Sequence, residues 1–179
     1  MSAVALTVPP KVADPYASHL PVLSLVARGM TVRSVLEFGG GQYSTPFFLN
    51  GHEYPDLKSL LTVESDPVWA DRLDGRDHRH TVLRVTKETD ALSLIEGRFD
   101  LIFVDGEAWE RAKVARQAWR FGDLVIMHDA EERLYRQGLK DYRYVYFCNE
   151  AYPWTALATN EEETMHFIRG LDIPKVRWA

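Results

Sequence analysis

Four acidic residues stand at the ends of four short apolar runs: Glu37 in SVLEF, Glu64 after SLLTV, Asp105 after LIFV, and Asp129 just beyond LVIM, with His128 between. Apolar runs of this kind read as strands covered on both faces, and charge is costly to bury. Acids repeated at such ends therefore mark a shared, partly wetted crevice. Carboxylates gathered there can accept hydrogen bonds from a cation or a sugar hydroxyl, hold a divalent ion, or take a proton from a nucleophile. Gly39, Gly40 and Gly41 follow almost directly on Glu37. They permit a tight turn that brings bare backbone N–H groups close to a ligand.

The ligand class follows from the details. The dinucleotide fingerprint needs glycine at its first, third and sixth positions, and the sixth position counted from Gly39 is Ser44, which disfavours a pyrophosphate. Glu37 would repel phosphate but can accept from an ammonium group, directly or through water. S-adenosylmethionine carries an ammonium group and no phosphate. Glu37-Phe38-Gly39-Gly40-Gly41 resembles motif I of the class I S-adenosylmethionine-dependent methyltransferases: an acid, any residue, glycine, any residue, glycine. VESDPVWADRL is similar to their second motif, and Glu64 lies 23 residues beyond Gly41, near the spacing for an acid that holds a ribose. The resemblance implies S-adenosylmethionine as cofactor, with Glu37, Gly39, Gly40, Gly41, Glu64, Ser65, Asp90 and Asp105 around it. Asp90, in TKETD, falls where the family often sets an acid or amide against the adenine amino group.

FDLIFVDG followed by DLVIMHDA is similar to small bacterial O-methyltransferases, some of which hold a metal. That similarity implies Mg2+ on Asp105 and Asp129, lowering the pKa of an acceptor hydroxyl. In the metal-dependent members two acids or amides usually end the fifth strand, and His128 departs from this. The other route makes Asp105 and His128 the catalytic pair, with a neutral His128 imidazole as general base. Asp105-Gly106-Glu107-Ala108 lacks the prolines and aromatic that mark amino methyltransferases, and Cys148 has no proline before it, unlike the nucleophile of cytosine carbon methyltransferases. A hydroxyl on a small-molecule acceptor is the expectation, with Tyr43, Trp109, Tyr152 and Trp154 available to line its pocket. The alternative is a non-catalytic protein of the same fold that binds or regulates.

The elements must bring those acids together. Strand-like runs at 34–38, 59–63, 81–85, 99–104 and 123–127 alternate with helical patterns, which calls for a parallel, doubly wound α/β sheet with helices on both faces. YRYVYF and TALAT are joined too closely for a crossover helix and should form an antiparallel hairpin, giving a mostly parallel seven-stranded sheet. Thr45 should cap the helix after the glycines with Pro46 at its first position, and Asp66-Pro67 should open the next. RDHRH reads as a solvated turn containing His78 and His80. The helix from Trp109 to Phe121 should face solvent with Arg111, Lys113, Arg116 and Arg120.

The 179 residues are 46% hydrophobic, enough for one domain over 1–179: a loose arm at 1–15, a leading helix at 16–30, a core at 32–159 and a tail at 160–179. A net charge of -5 makes a nucleic-acid partner unlikely from the whole-molecule field. One cysteine, no apolar run of membrane-spanning length and no leader pattern point to a cytoplasmic protein. Apolar residues on the leading helix and the tail offer surfaces for a homo-oligomer.

Overall fold

The computed structural model describes residues 14–75 and 77–177. Most of the arm and Trp178 of the tail lie outside the described residues. Five strands, β1 (Ser34–Phe38), β2 (Ser59–Glu64), β3 (His80–Arg84), β4 (Leu101–Val104) and β5 (Val125–Met127), run parallel, with β1 paired to both β2 and β4. The hairpin of β6 (Tyr144–Cys148) and β7 (Thr155–Thr159) completes the sheet, β7 lying antiparallel between β5 and β6. An eighth strand, β8 (Val176–Arg177), pairs antiparallel with β6, so among the described residues the order is β3-β2-β1-β4-β5-β7-β6-β8 and the expected seven-stranded sheet has eight strands. Two exposed residues carry no alternation for a sequence reading to detect.

Alternate residues of each strand point to opposite faces, and both faces are covered. Val35, Leu60, Leu101, Phe103 and Ile126 pack with α1 (Leu20–Gly29), α2 (Ser44–Leu49) and α7 (Glu162–Gly170). Leu36, Phe38, Ile102, Val104 and Met127 pack with α4 (Glu88–Ala91) and α5 (Ala108–Ala118). Two short helices, α3 (Pro67–Leu73) after β2 and α6 (Arg133–Arg136) after β5, complete the chain order. Val22, Leu23, Leu25 and Val26 of α1 and Met165 and Ile168 of α7 are all buried in the first layer, so they serve the protein's own core rather than an outer surface.

The leading helix begins later than its periodicity predicts. Asp14 caps a 3-10 turn at Pro15–Ala17, and α1 starts at Leu20. Pro21 fixes this start: with no N–H it is tolerated only in the first turn, so no helix can run through it from Tyr16. No helix among the described residues is long and apolar enough to cross a membrane.

Candidate active site

The strand order reverses between β1 and β4, which opens a crevice beyond their carboxyl ends. A cavity of about 600 Å³ occupies it, lined by the turn from Gly39 to Ser44 and by Tyr16, His19, Trp69, Asp105, Arg111 and His128. Gly39 has a φ of 81°, and its N–H donates to the Val63 carbonyl at 2.9 Å. A Cβ on Gly39 would overlap the Gly106 backbone, and one on Gly40 would overlap the Leu73 side chain. The glycines are therefore demanded by the crossing of β1, β4 and α3 as well as by access to the cavity.

Thr45 does not cap α2. The helix starts two residues earlier than expected, at Ser44, and the Thr45 hydroxyl accepts from the Gly41 N–H (3.2 Å) and donates to Glu37 Oε2 (2.7 Å). The Thr62 hydroxyl donates to the same oxygen at 2.7 Å and so can take only an N–H from His80 Nε2, 2.9 Å away. His80, assigned above to a solvated turn, is thus a buried strand residue supporting Glu37. Glu37 Oε1 is buried with no hydrogen-bond partner among the described residues.

Burial pushes the Glu37 carboxyl up to about 7, against the hydroxyls of Ser44, Thr62 and Thr45. The folded state then holds this proton more tightly than the unfolded chain, so the contribution is unfavourable as pH rises from about 4.5 and complete above about 7. Urea unfolding of the wild type and Glu37→Gln at pH 4 and pH 8 is expected to show the difference moving toward the variant by roughly 3 kcal/mol. A difference that stays constant with pH would place the Glu37 titration in the ordinary carboxyl range.

Glu64 binds the glycine turn directly. Its Oε2 accepts from the Gly40 N–H (2.9 Å) and its Oε1 from the Asp66 N–H (2.8 Å), while Asp66 caps α3 ahead of Pro67 as the sequence indicates. Ser65 lies beside it with a buried hydroxyl that has no hydrogen-bond partner among the described residues. Asp90 does not reach the crevice: it is exposed on α4. The acid turned inward is Glu88, two residues earlier and 1% exposed, whose Oε1 accepts from the Glu107 N–H at 3.0 Å and whose carboxylate lies against Gly106. Two residues along a helix point about 200° apart, so only one of the pair can face inward. Burial raises the Glu88 carboxyl to about 7 as well.

At the ends of β4 and β5 the decisive residue is Arg111, which the sequence assigned to a solvated face. It is 6% exposed and pairs with Asp105 (3.1 Å) and with Asp129, and its Nη2 also donates to the Gly106 carbonyl at 2.7 Å. Asp129 holds a φ of 54°, a left-handed conformation that aspartate tolerates better than most residues, and so turns its carboxylate toward this guanidinium. A signal was available: a cation in the first turn of a helix opposes the helix dipole and needs an acid partner. The Arg111 guanidinium is thus the cation paired with both Asp105 and Asp129, the two residues the sequence reading offered to Mg2+.

His128 is 3% exposed and bonded at both nitrogens: Nδ1 lies 3.1 Å from Asp105 Oδ1, and Nε2 lies 2.8 Å from the Ser18 hydroxyl. Ser18 donates to the Pro153 carbonyl at 2.9 Å, so its oxygen is left to accept. This pattern is complete when both ring nitrogens carry protons. Burial opposes the cation, but the Asp105 hydrogen bond and the charges of Asp105 and Asp129 raise the His128 pKa above its ordinary value. In this arrangement the His128 nitrogens face Asp105 and Ser18 rather than the open cavity, and the sequence expectation of a neutral general base at this position does not follow from the geometry. Of the aromatic residues expected at the pocket, Tyr43 lines it; Trp109 and Tyr152 are exposed, and Trp154 packs against Phe147.

No protein-family model and no curated protein sequence matches the chain. Solved structures do. An O-methyltransferase from Bacillus cereus in complex with SAH is 17% identical with a TM-score of 0.62, over 86% of this chain and 84% of that one. The O-methyltransferase TomG from Streptomyces achromogenes, in complex with SAM, is 22% identical with a TM-score of 0.59, over 83% and 80%. A spermidine synthase from Thermotoga maritima is 11% identical with a TM-score of 0.59, over 89% and 66%. The chain thus shares its fold with O-methyltransferases and with a spermidine synthase.

Proposed function

We propose that the chain is an S-adenosylmethionine-dependent methyltransferase acting on a hydroxyl of a small molecule. The observation that carries this reading is the cavity at the β1/β4 reversal, with the glycine turn on one side and Asp105 on the other. The cofactor supplies an electrophilic methyl group on a cationic sulfonium. Every other requirement falls to the chain. Glu64 braces the turn through two backbone N–H groups and keeps lone pairs for ribose hydroxyls. The Ser65 hydroxyl and Glu88 Oε2, both buried and without a hydrogen-bond partner among the described residues, are polar atoms suited to ligand hydrogen bonds. Glu37, buried beneath the turn, supports it through Thr45. Asp105, fixed by His128 and Arg111, is the anion at the acceptor end.

Isothermal titration of the purified protein with S-adenosylhomocysteine tests the reading. Micromolar binding is expected, and Glu64→Ala is expected to weaken it at least 10-fold, roughly 1.4 kcal/mol. Absence of wild-type binding would overturn the cofactor assignment. Unchanged affinity in Glu64→Ala would remove that residue from the ribose site.

A further inference from the structure

His19 has no part in the reading above. It is 1% exposed just ahead of α1, lines the cavity, and has both ring nitrogens buried without a hydrogen-bond partner among the described residues. An imidazole has one donor and one acceptor to satisfy, or a lone pair to give to a metal. Its ring packs 5.0 Å from the Phe103 ring and edge-on to His128 at 4.7 Å, which keeps it beside Asp105. One potential ligand atom from each of His19, Asp105 and His128 lies within 4.8 Å of the others. Ligand atoms on an ion bound at about 2.1 Å stand about 3–4 Å apart, so modest ring rotations complete the set.

We propose that His19, Asp105 and His128 form a binding site for a divalent transition-metal ion of the zinc or cobalt class. Two imidazoles and one carboxylate suit such an ion and are poor partners for magnesium, which prefers oxygen. The surroundings are those of a metal-bound histidine. His128 Nε2–H donates to Ser18, and Ser18 donates to the Pro153 carbonyl, fixing the ring so that Nδ1 faces Asp105. On binding, the ion takes the place of the Nδ1 proton, which passes to solvent. Arg111 retains Asp129 and steadies Asp105 from the other side. All three proposed ligands line the cavity, so coordination positions remain open toward it. Where the methyltransferase reading holds, an acceptor hydroxyl on the ion would lose its proton more readily.

Chelator-stripped protein titrated separately with zinc, cobalt and magnesium salts provides the test, with visible absorption following cobalt. One equivalent of zinc or cobalt per chain is expected, with d–d bands for cobalt and no comparable binding of magnesium. His19→Ala and Ser18→Ala are each expected to weaken binding at least 10-fold. His78→Ala, at a side chain 92% exposed, should leave it unchanged. Circular dichroism checks each variant; if His19→Ala does not fold, Ser18→Ala and the wild-type cobalt spectrum decide. No stoichiometric binding, equal affinity in Ser18→Ala, or a preference for magnesium would overturn the site. S-adenosylhomocysteine titrated into the same samples separates the two proposals, because either ligand can bind while the other fails.

Discussion

Arg111→Met is expected to lower the free energy of unfolding by about 3–5 kcal/mol at pH 7, the loss typical of removing one member of a buried ion pair. Methionine fills much of the same volume, so packing is largely retained and the charge effect dominates. Asp105 and Asp129 would be left facing each other, with His128 as the remaining counter-charge among the described residues. Burial works against ionised Asp105, yet the His128 hydrogen bond and the charges of His128 and Arg111 hold its carboxyl below the usual range. A carboxyl depressed in the folded state contributes stability above its unfolded pKa and loses it as pH falls through the folded one. The Arg111→Met deficit should accordingly be full at pH 7 and shrink toward acid pH. Urea unfolding across that range measures it. A loss under about 1 kcal/mol at pH 7 would mean that water already screens the two carboxylates.

Gly39→Ala is expected to be comparably damaging for a different reason. The left-handed φ costs a residue with a Cβ about 1–2 kcal/mol. The new methyl would also overlap the Gly106 backbone and stand 2.8 Å from the Asp105 carbonyl carbon, so β1 and the end of β4 must part. Together these are expected to exceed about 3 kcal/mol and to abolish S-adenosylhomocysteine binding. Gly41→Ala is the control: its nearest neighbour would be Ser44 Oγ at 3.7 Å, so stability should change by less than about 1 kcal/mol. Equal stability of the two variants by thermal unfolding would refute the close crossing of β1 and β4.

The sheet was legible because buried parallel strands print as apolar runs, and the acids ending them fall where the crevice lies. TALAT is β7 as read, whereas FDLIFV gives only Leu101–Val104 to β4, with Phe99 making an isolated bridge to Gly122. The site was less legible where partners are set by tertiary approach. Arg111 matches its neighbours Lys113 and Arg116 in charge, and only the fold turns it inward. His19 precedes an apolar helix by one residue, and sequence alone does not show that Phe103 and His128 enclose it. Glu88 and Asp90 are interchangeable until the start of α4 is known.

The two outermost strands of the sheet bear on how the molecule behaves among copies of itself. On one side β3 is five residues long, and Arg84 at its end is tied to Asp71 and Asp74 of the neighbouring segment. On the other, β8 covers part of β6 with two exposed residues, one of them Arg177. A strand edge recruits foreign backbone when it is long, flat and apolar, and charge and brevity oppose that. Among the described residues, charge and brevity at both margins thus oppose fibre-like growth by strand addition.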